Sequence, residues 1–208
     1  MADYTFFFNP MSRAQIVRWA LHEVGADYEP VLIPWNEKPQ ALLDANPIGK
    51  VPTVIHHHLG HDHVVTEAAA ICHYLAVQHG PELTPKAEEA ADYFRYLFFA
   101  AGPVEQAVTA RSMGWEVPED KQGMPGFGTY DRTVDTLEKM LDGRDYVCGE
   151  RFTMADVYVA SQVAWGLQFG TLPDRPALRA YSERATARDA CRAAQAIDNK
   201  LIAEMQNA

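Results

Sequence analysis

Five histidines, His56, His57, His58, His61 and His63, crowd into eight residues with Asp62 among them. Neutral imidazoles at this density are the raw material of a zinc, nickel or copper site. Along a strand His56 and His58 share one face, and across a hairpin His61 or His63 could join them. The stretch nevertheless reads as a solvent-facing turn far from other ligand types. That pattern favours an adventitious surface site, and no functional metal is expected. Sulfur is sparse: Cys72, Cys148 and Cys191 are too few and too scattered for a disulfide framework, and no Cys-x-x-Cys pair occurs. Ser12 has no sequence sign of the His and Asp partners that a nucleophilic serine requires. It stands where a helical period begins, so its hydroxyl can accept from an orphan amide of the first turn. Asp156 falls three residues after Thr153, the spacing of a capping box with Asp in place of Glu, which gives it a structural role.

The elements that hold these side chains change in kind along the chain. Tyr4–Phe8 is an aromatic run of strand type stopped by Asn9-Pro10. From Ser12 the period becomes helical, with Ile16, Val17, Ala20, Leu21 and Val24 on one face, and Gly25 closes the helix. Residues 28–33 read as a second strand and 39–45 as a short helical piece. Residues 51–55 and 63–65 read as two strands joined by the histidine-rich hairpin, and Thr66 caps a third helix that runs to Gly80. The order is β-α-β-α-β-β-α. Residues 81–86, bounded by Pro81 and Pro85, form a linker, and everything from 87 to 208 is helical in period. Residues 87–111 read as one long helix bent at Gly102-Pro103, 115–129 as a loop, 130–142 as an amphipathic helix, and 153–166 as a central apolar helix whose Phe152 and Val157 form a hydrophobic staple. Two more helices follow the turn at 172–176. The aromatics Tyr93, Phe94, Tyr96, Phe98 and Phe99 are expected in a core or an interface.

Composition narrows the classes of function. The net charge is −10, with four basic against eight acidic residues before position 81 and the rest of the excess after it. No basic half or stripe exists to neutralise phosphates, so neither nucleic acid nor an anionic membrane surface is an expected partner. No apolar run approaches the roughly 20 residues that cross a bilayer. The opening Met1-Ala-Asp-Tyr4 lacks the basic region of a signal peptide, and with so few cysteines a cytoplasmic protein is expected.

Three segments carry a family likeness: Asn46-Pro-Ile-Gly-Lys-Val-Pro-Thr53, Val65-Thr-Glu-Ala-Ala-Ala-Ile-Cys-His-Tyr-Leu75 and Gly149-Glu-Arg-Phe-Thr-Met-Ala-Asp156. In this order and spacing the chain resembles the cytosolic glutathione transferases over essentially its whole length, and its first helix looks most like bacterial, serine-type members. The resemblance implies an α/β thioredoxin-like N-terminal domain at 1–80, the linker at 81–86, and an all-α C-terminal domain at 87–208. It implies that Pro52 is a cis proline presenting the Val51 backbone to the cysteinyl part of glutathione, and that Glu67 grips the α-amino group of the γ-glutamyl moiety. The amides that open the helix at Glu67 and Ala68 would meet the γ-glutamyl carboxylate, because helix N-termini attract anions. Lys50 would face the glycyl carboxylate. Glutathione is then a co-substrate, with no metal or other cofactor, and a homodimer built on the third helix and the start of the long helix is expected.

Two positions depart from the family pattern. Ala68 replaces the usual serine, which removes a hydroxyl donor, and Phe7 falls where tyrosine-type members carry their hydroxyl. The thiol must therefore be activated elsewhere. A free thiol near pKa about 8.5 is mostly protonated at neutral pH, and a hydroxyl donor at a helix N-terminus favours the anion. Ser12 meets both conditions, with Arg13 adding positive potential and Asn9 as the second candidate. Met11, Arg111 and Trp115 are the expected lining of a pocket for a small apolar electrophile. The expected function is conjugation of the glutathione thiolate to such an electrophile, a role in detoxification. The alternatives are a non-catalytic binding protein of the same fold, or glutathione-dependent isomerisation or peroxide reduction.

Overall fold

The computed structural model describes residues 2–207. Contacts divide the chain into two compact units, one running to Thr84 and resuming at Arg188, the other spanning Pro85–Ala187. The first unit holds strands β1 (Tyr4–Phe8), β2 (Tyr28–Leu32), β3 (Thr53–His58) and β4 (His61–Thr66) in the order β2-β1-β3-β4. Strand β1 is parallel to β2 and antiparallel to β3, which is antiparallel to β4. Helix α1 (Ala14–Val24) connects β1 to β2, α2 (Gln40–Ala45) connects β2 to β3, and α3 (Ala68–His79) follows β4. The central strand is covered on both faces. Phe6 and Phe8 stack under the Arg18 guanidinium, whereas Phe7 packs with Ile33 and Leu42. A strand buried on both sides needs no polar alternation, which is why this run is uniformly aromatic.

Local rules account for most boundaries, and three differ from expectation. Gly25 adopts φ 62° and ends α1, as its position in the sequence requires. Helix α1 starts at Ala14 with Arg13 in the capping position, so Ser12 sits one residue upstream of it. Thr66 does not cap α3: it stays in β4 opposite Thr53, and Glu67 makes the corner at φ 65°. The hairpin turn is only Leu59-Gly60, both at positive φ (52° and 78°), as two-residue turns that match strand twist require. The five histidines therefore lie within paired strands, His56 opposite His63 and His58 opposite His61, and not in a loop.

The second unit is helical: α4 (Ala90–Phe99), α5 (Glu105–Ser112), α6 (Tyr130–Leu141), α7 (Met154–Gln168) and α8 (Pro176–Thr186). Between α4 and α5 the backbone passes through a π-helical stretch at Ala100–Val104. Pro103 lies inside it, where its missing N–H interrupts the regular ladder. Buried α7 is the centre of this unit, and its capping box forms, with the Thr153 amide donating to Asp156 Oδ2 at 2.8 Å. Asp156 also accepts from the Val147 amide (2.8 Å) and the Tyr181 hydroxyl (2.9 Å), so it ties three segments of the unit together. Burial pushes its carboxyl up to about 6 against those donors.

The last helix, α9 (Asp189–Gln206), clusters with the first unit and packs on α1, whereas its helical period had grouped it with the helices from 87 onward. A buried ion pair fixes it there. Arg18 Nε donates to Asp198 Oδ1 at 2.9 Å with both side chains 2% exposed, and Arg188 grips Glu23 through two nitrogens at 2.7 and 2.8 Å. Arg18 Nη1 donates to the Tyr28 hydroxyl. Arg18 Nη2 and Asp198 Oδ2 find no partner among the described residues, and burial raises the Asp198 carboxyl to about 6. Removing one buried charge strands the other, so Asp198→Ala should cost about 3–5 kcal/mol in urea unfolding. Replacing both partners (Arg18→Met with Asp198→Leu) should recover most of that loss.

Candidate active site

Phe7 pairs with Thr53, and Thr53 pairs with Thr66. Neighbouring strands lie about 4.8 Å apart, so this register brings the segment after β1, the segment before β3 and the corner after β4 to one end of the sheet. Those segments carry Asn9 to Arg13, Lys50 to Pro52, and Glu67 with Ala68. The sheet thus gathers every residue expected to bind or activate glutathione.

The first segment is built around Asn9. Its side chain is wholly buried, donating from Nδ2 to the Ile33 carbonyl at the end of β2 (2.9 Å) and accepting the Met11 amide on Oδ1 (2.9 Å). Its carbonyl accepts the Ser12 amide (3.1 Å) and the Ser12 hydroxyl (2.7 Å). Ser12 Oγ in turn accepts the Ala14 amide at 3.1 Å, joining the turn to the start of α1. Ser12 is half-buried, whereas Asn9 has no surface to offer a ligand. Asn9 holds the turn in place, a role that its position before Pro10 did not disclose.

The second segment is clamped from below. Asn46 Nδ2 donates to the Lys50 carbonyl (3.2 Å) and to Thr53 Oγ1 (3.0 Å), and the Thr53 hydroxyl donates to the same carbonyl (2.9 Å). Lys50 is exposed, the Val51-Pro52 peptide is cis, and the Val51 side chain rests on the cluster of Phe7, Ile33 and Leu42. Phe7 is thus a core ring. Among the described residues the Val51 amide and carbonyl have no hydrogen-bond partner. The Asn46–Thr53 clamp was not anticipated, and the only local signal for it is an asparagine ahead of Pro47.

At the third segment Glu67 is exposed and holds φ 65°. Leu59 is the other described non-glycine residue at positive φ, and its hairpin turn explains it. No such turn explains Glu67. A left-handed conformation costs a residue with a Cβ about 1–3 kcal/mol, and strain of this kind clusters at ligand sites. The helix that begins at Ala68 directs its first-turn amides to the same corner.

Other candidates separate. Arg111 and Trp115 line a cavity of about 370 Å³ in the helical unit together with Val117, Phe127 and Tyr130, and the Arg111 guanidinium lies 4.2 Å over the Tyr130 ring. Met11 is exposed, belongs to the other unit and does not line that cavity. The histidines divide too. His56 is buried, stacked 4.3 Å from the Tyr4 ring with Nδ1 on the Tyr74 hydroxyl (2.9 Å), while His57 Nδ1 meets Asp62 at 2.7 Å. Burial, then His58 and His79, lower the His56 pKa. Among the described residues no group of three or more His, Cys, Asp or Glu side chains is disposed to hold a metal ion. Burial raises the thiol pKa of Cys72 and pushes Cys191 to about 12 and Cys148 to about 11, so none of the three supplies a thiolate at neutral pH.

A four-stranded mixed sheet with helices, followed by a helical unit, is the thioredoxin-like and all-helical pair of the glutathione-dependent transferases. Comparison agrees. Residues 2–77 match the family model for the glutathione S-transferase N-terminal domain, and residues 105–184 match that for the C-terminal domain. Glutathione S-transferase 1 of Schizosaccharomyces pombe is 32% identical over 158 residues, which span 70% of this chain and 66% of that protein. Among solved structures, a glutathione transferase from Methylococcus capsulatus superposes with a TM-score of 0.75 at 25% identity, covering 94% of this chain and 98% of its own. A sphingomonad glutathione S-transferase complexed with glutathione gives 0.73 at 26% identity, with the same two coverages. The chain belongs to the glutathione S-transferase family. No described helix is long and apolar enough to cross a membrane.

The buried bonds of Asn9 make it the residue to test for positioning. Asn9→Ala leaves the Ile33 carbonyl and the Met11 amide without partners, and should cost about 2–3 kcal/mol. Amide exchange at Met11 and Ser12 should quicken more than at α1, as measured by hydrogen exchange.

Proposed function

We propose that this chain binds reduced glutathione across the sheet end and transfers its thiolate to a small apolar electrophile. The observation that carries the reading is the register from Phe7 through Thr53 to Thr66, with the unpaired Val51 backbone between the Ser12 and Glu67 corners. A peptide-like ligand pairs with Val51 as one further strand. Glu67 takes its α-amino group, the first amides of α3 take the neighbouring carboxylate, and Lys50 takes the glycyl carboxylate. Because Ala68 offers no hydroxyl, binding loses about 0.5–1.5 kcal/mol relative to a serine there. The sphingomonad relative, which holds glutathione, supports the same ligand here.

Ser12 supplies the hydrogen-bond donor to the thiolate sulfur. Its hydroxyl proton rests on the Asn9 carbonyl, so it must rotate when the ligand arrives. The exchange is favourable, since a hydrogen bond to a charged acceptor contributes about 1.5–3 kcal/mol against about 0.5–1.5 for a neutral one. The N-terminus of α1, with Arg13 beside it, adds positive potential. Catalysis then rests on thiolate stabilisation and positioning. Within the helical unit the walls near Arg111 and Trp115 hold the apolar part of the electrophile. With reduced glutathione as co-substrate, the cytoplasm is the compartment and detoxification the physiological role. Two copies pair through α3 and the start of α4, where Phe94 and Phe98 stack 6.2 Å apart on an exposed face.

Absorbance of bound thiolate against pH tests the mechanism. The parent should titrate at least one unit below the free thiol, near about 8.5, and Ser12→Ala should return toward that value. An unchanged curve in the variant removes Ser12 from the mechanism. Retention on immobilised glutathione without turnover of a chloronitrobenzene would instead mark a binding protein of the same fold. Native mass spectrometry should show a dimer that Phe94→Glu with Phe98→Glu converts to a monomer.

A further inference from the structure

The cavity of about 370 Å³ in the helical unit is walled by α5, the chain that follows it and the start of α6. None of its lining residues lies on α3 or α4, the helices through which two copies are proposed to meet. Its size falls in the lower part of the ordinary range of ligand pockets, enough for a substituted benzene ring. Local structure fixes the wall. Gly114 at φ 67° closes α5, its amide on the Arg111 carbonyl (3.1 Å) and the Trp115 amide on the Ala110 carbonyl (2.8 Å), which sets the indole beside the last helical turn. The Tyr130 hydroxyl donates to the Thr171 carbonyl at 2.7 Å, and the Thr133 hydroxyl ties the Phe127 carbonyl to α6 at 2.8 Å. Trp115 is nevertheless 63% exposed, an uncovered ring in a built wall.

Among the described residues, Arg111 is the cation of this lining and Glu116 its acid. The Arg111 guanidinium lies 4.2 Å over the Tyr130 ring, well within cation–π reach. A guanidinium held by its face keeps its N–H edge turned outward as a rigid fork. Glu116 stands on the same wall without pairing to Arg111. A ligand that uses both features carries a flat ring for Trp115 and Phe127 and a planar anion for the fork. A carboxylate on a benzene ring has that shape, and two parallel N–H···O bonds join it to a guanidinium. With Glu116 nearby, a singly charged group is favoured over a doubly charged one. The chain as a whole has a net charge of −10, so its surface at large repels such a ligand and binding is confined to a local cation.

We propose that Arg111 makes this cleft selective for an aryl carboxylate, with the ring against Trp115 and Phe127 and the carboxylate on the guanidinium. For binding, this stands on the cleft alone; for the reaction, it rests on the transferase reading. The electrophile is then an activated arene that carries one acid group, such as 4-chloro-3,5-dinitrobenzoate. The glutathione sulfur forms a bond to the ring carbon, chloride leaves with the electron pair of the broken C–Cl bond, and the thiol proton passes to solvent.

Isothermal titration calorimetry on the full chain with 3,5-dinitrobenzoate and the uncharged 3,5-dinitrobenzamide tests the binding without any turnover. The benzoate should bind about fivefold more tightly, the worth of one charge-assisted contact near the surface. Arg111→Gln should bring the two ligands within twofold of each other. Lys200→Gln, which removes the same charge from α9, should leave the preference intact. Equal binding by the parent overturns the proposal, as does a preference that survives Arg111→Gln or falls equally in Lys200→Gln. If Arg111→Gln fails to fold by circular dichroism, salt decides in the parent: going from about 50 to about 500 mM should weaken the benzoate and not the benzamide, and an equal response overturns the proposal. Turnover of 4-chloro-3,5-dinitrobenzoate and its amide then separates the two readings. A ratio of kcat/KM values, acid over amide, that drops about fivefold in Arg111→Gln supports both. The binding preference without turnover of either compound supports the cleft assignment and removes the transferase reading.

Discussion

The pairing of Phe7 with Thr53 and of Thr53 with Thr66 is the constraint from which the site follows. Three stretches of chain that are far apart in sequence end their strands, or begin them, at the same end of the sheet. Each side chain proposed to touch glutathione lies within five residues of that row. A slip of one residue would turn Val51 from the Phe7 cluster and carry Glu67 to the opposite face, because side chains alternate along a strand. Buried Phe7 and the doubly bonded Thr53 make such a slip costly.

The residues proposed to bind glutathione are held from behind by buried polar groups. Asn9 fastens the turn before α1 to the end of β2, and Asn46 with Thr53 fastens the Lys50 carbonyl. Both are small buried networks in which nearly every donor has its acceptor, the condition under which buried polar groups specify one geometry. Asp156 has the corresponding role in the helical unit, where it collects Thr153, Val147 and Tyr181 around the start of α7. The Arg18–Asp198 pair differs in kind. It leaves one atom on each side without a partner, so its worth lies in placing α9 on α1 more than in net stabilisation.

Much of this was legible in the residues themselves. Periods of two and 3.6, Gly25, the Thr153–Asp156 box and the proline inside the long helix are local signals, and each acts on its immediate neighbours. The roles expected of Val51, Pro52 and Glu67 came from the family likeness of the segments that hold them, and the corner at Glu67 was not foreseen, because Thr66 looked like the cap of that helix. The histidine segment was harder, because alternation in a short polar strand at a sheet edge looks like a turn until its partner strand is known. Thr66 was misplaced for a similar reason, since a good capping residue is also a good strand residue when Thr53 lies opposite.

What sequence alone determined was the kind of most elements, the lack of a Cys-x-x-Cys pair and the candidate hydroxyl at Ser12. Only the tertiary structure decided which unit the last helix joins, that Asn9 is buried and spoken for, and that the Ser12 proton rests on a carbonyl. The physical reason is range. Propensity, capping and turn chemistry act over a few residues, whereas burial, ion pairing and concavity depend on which distant surfaces meet.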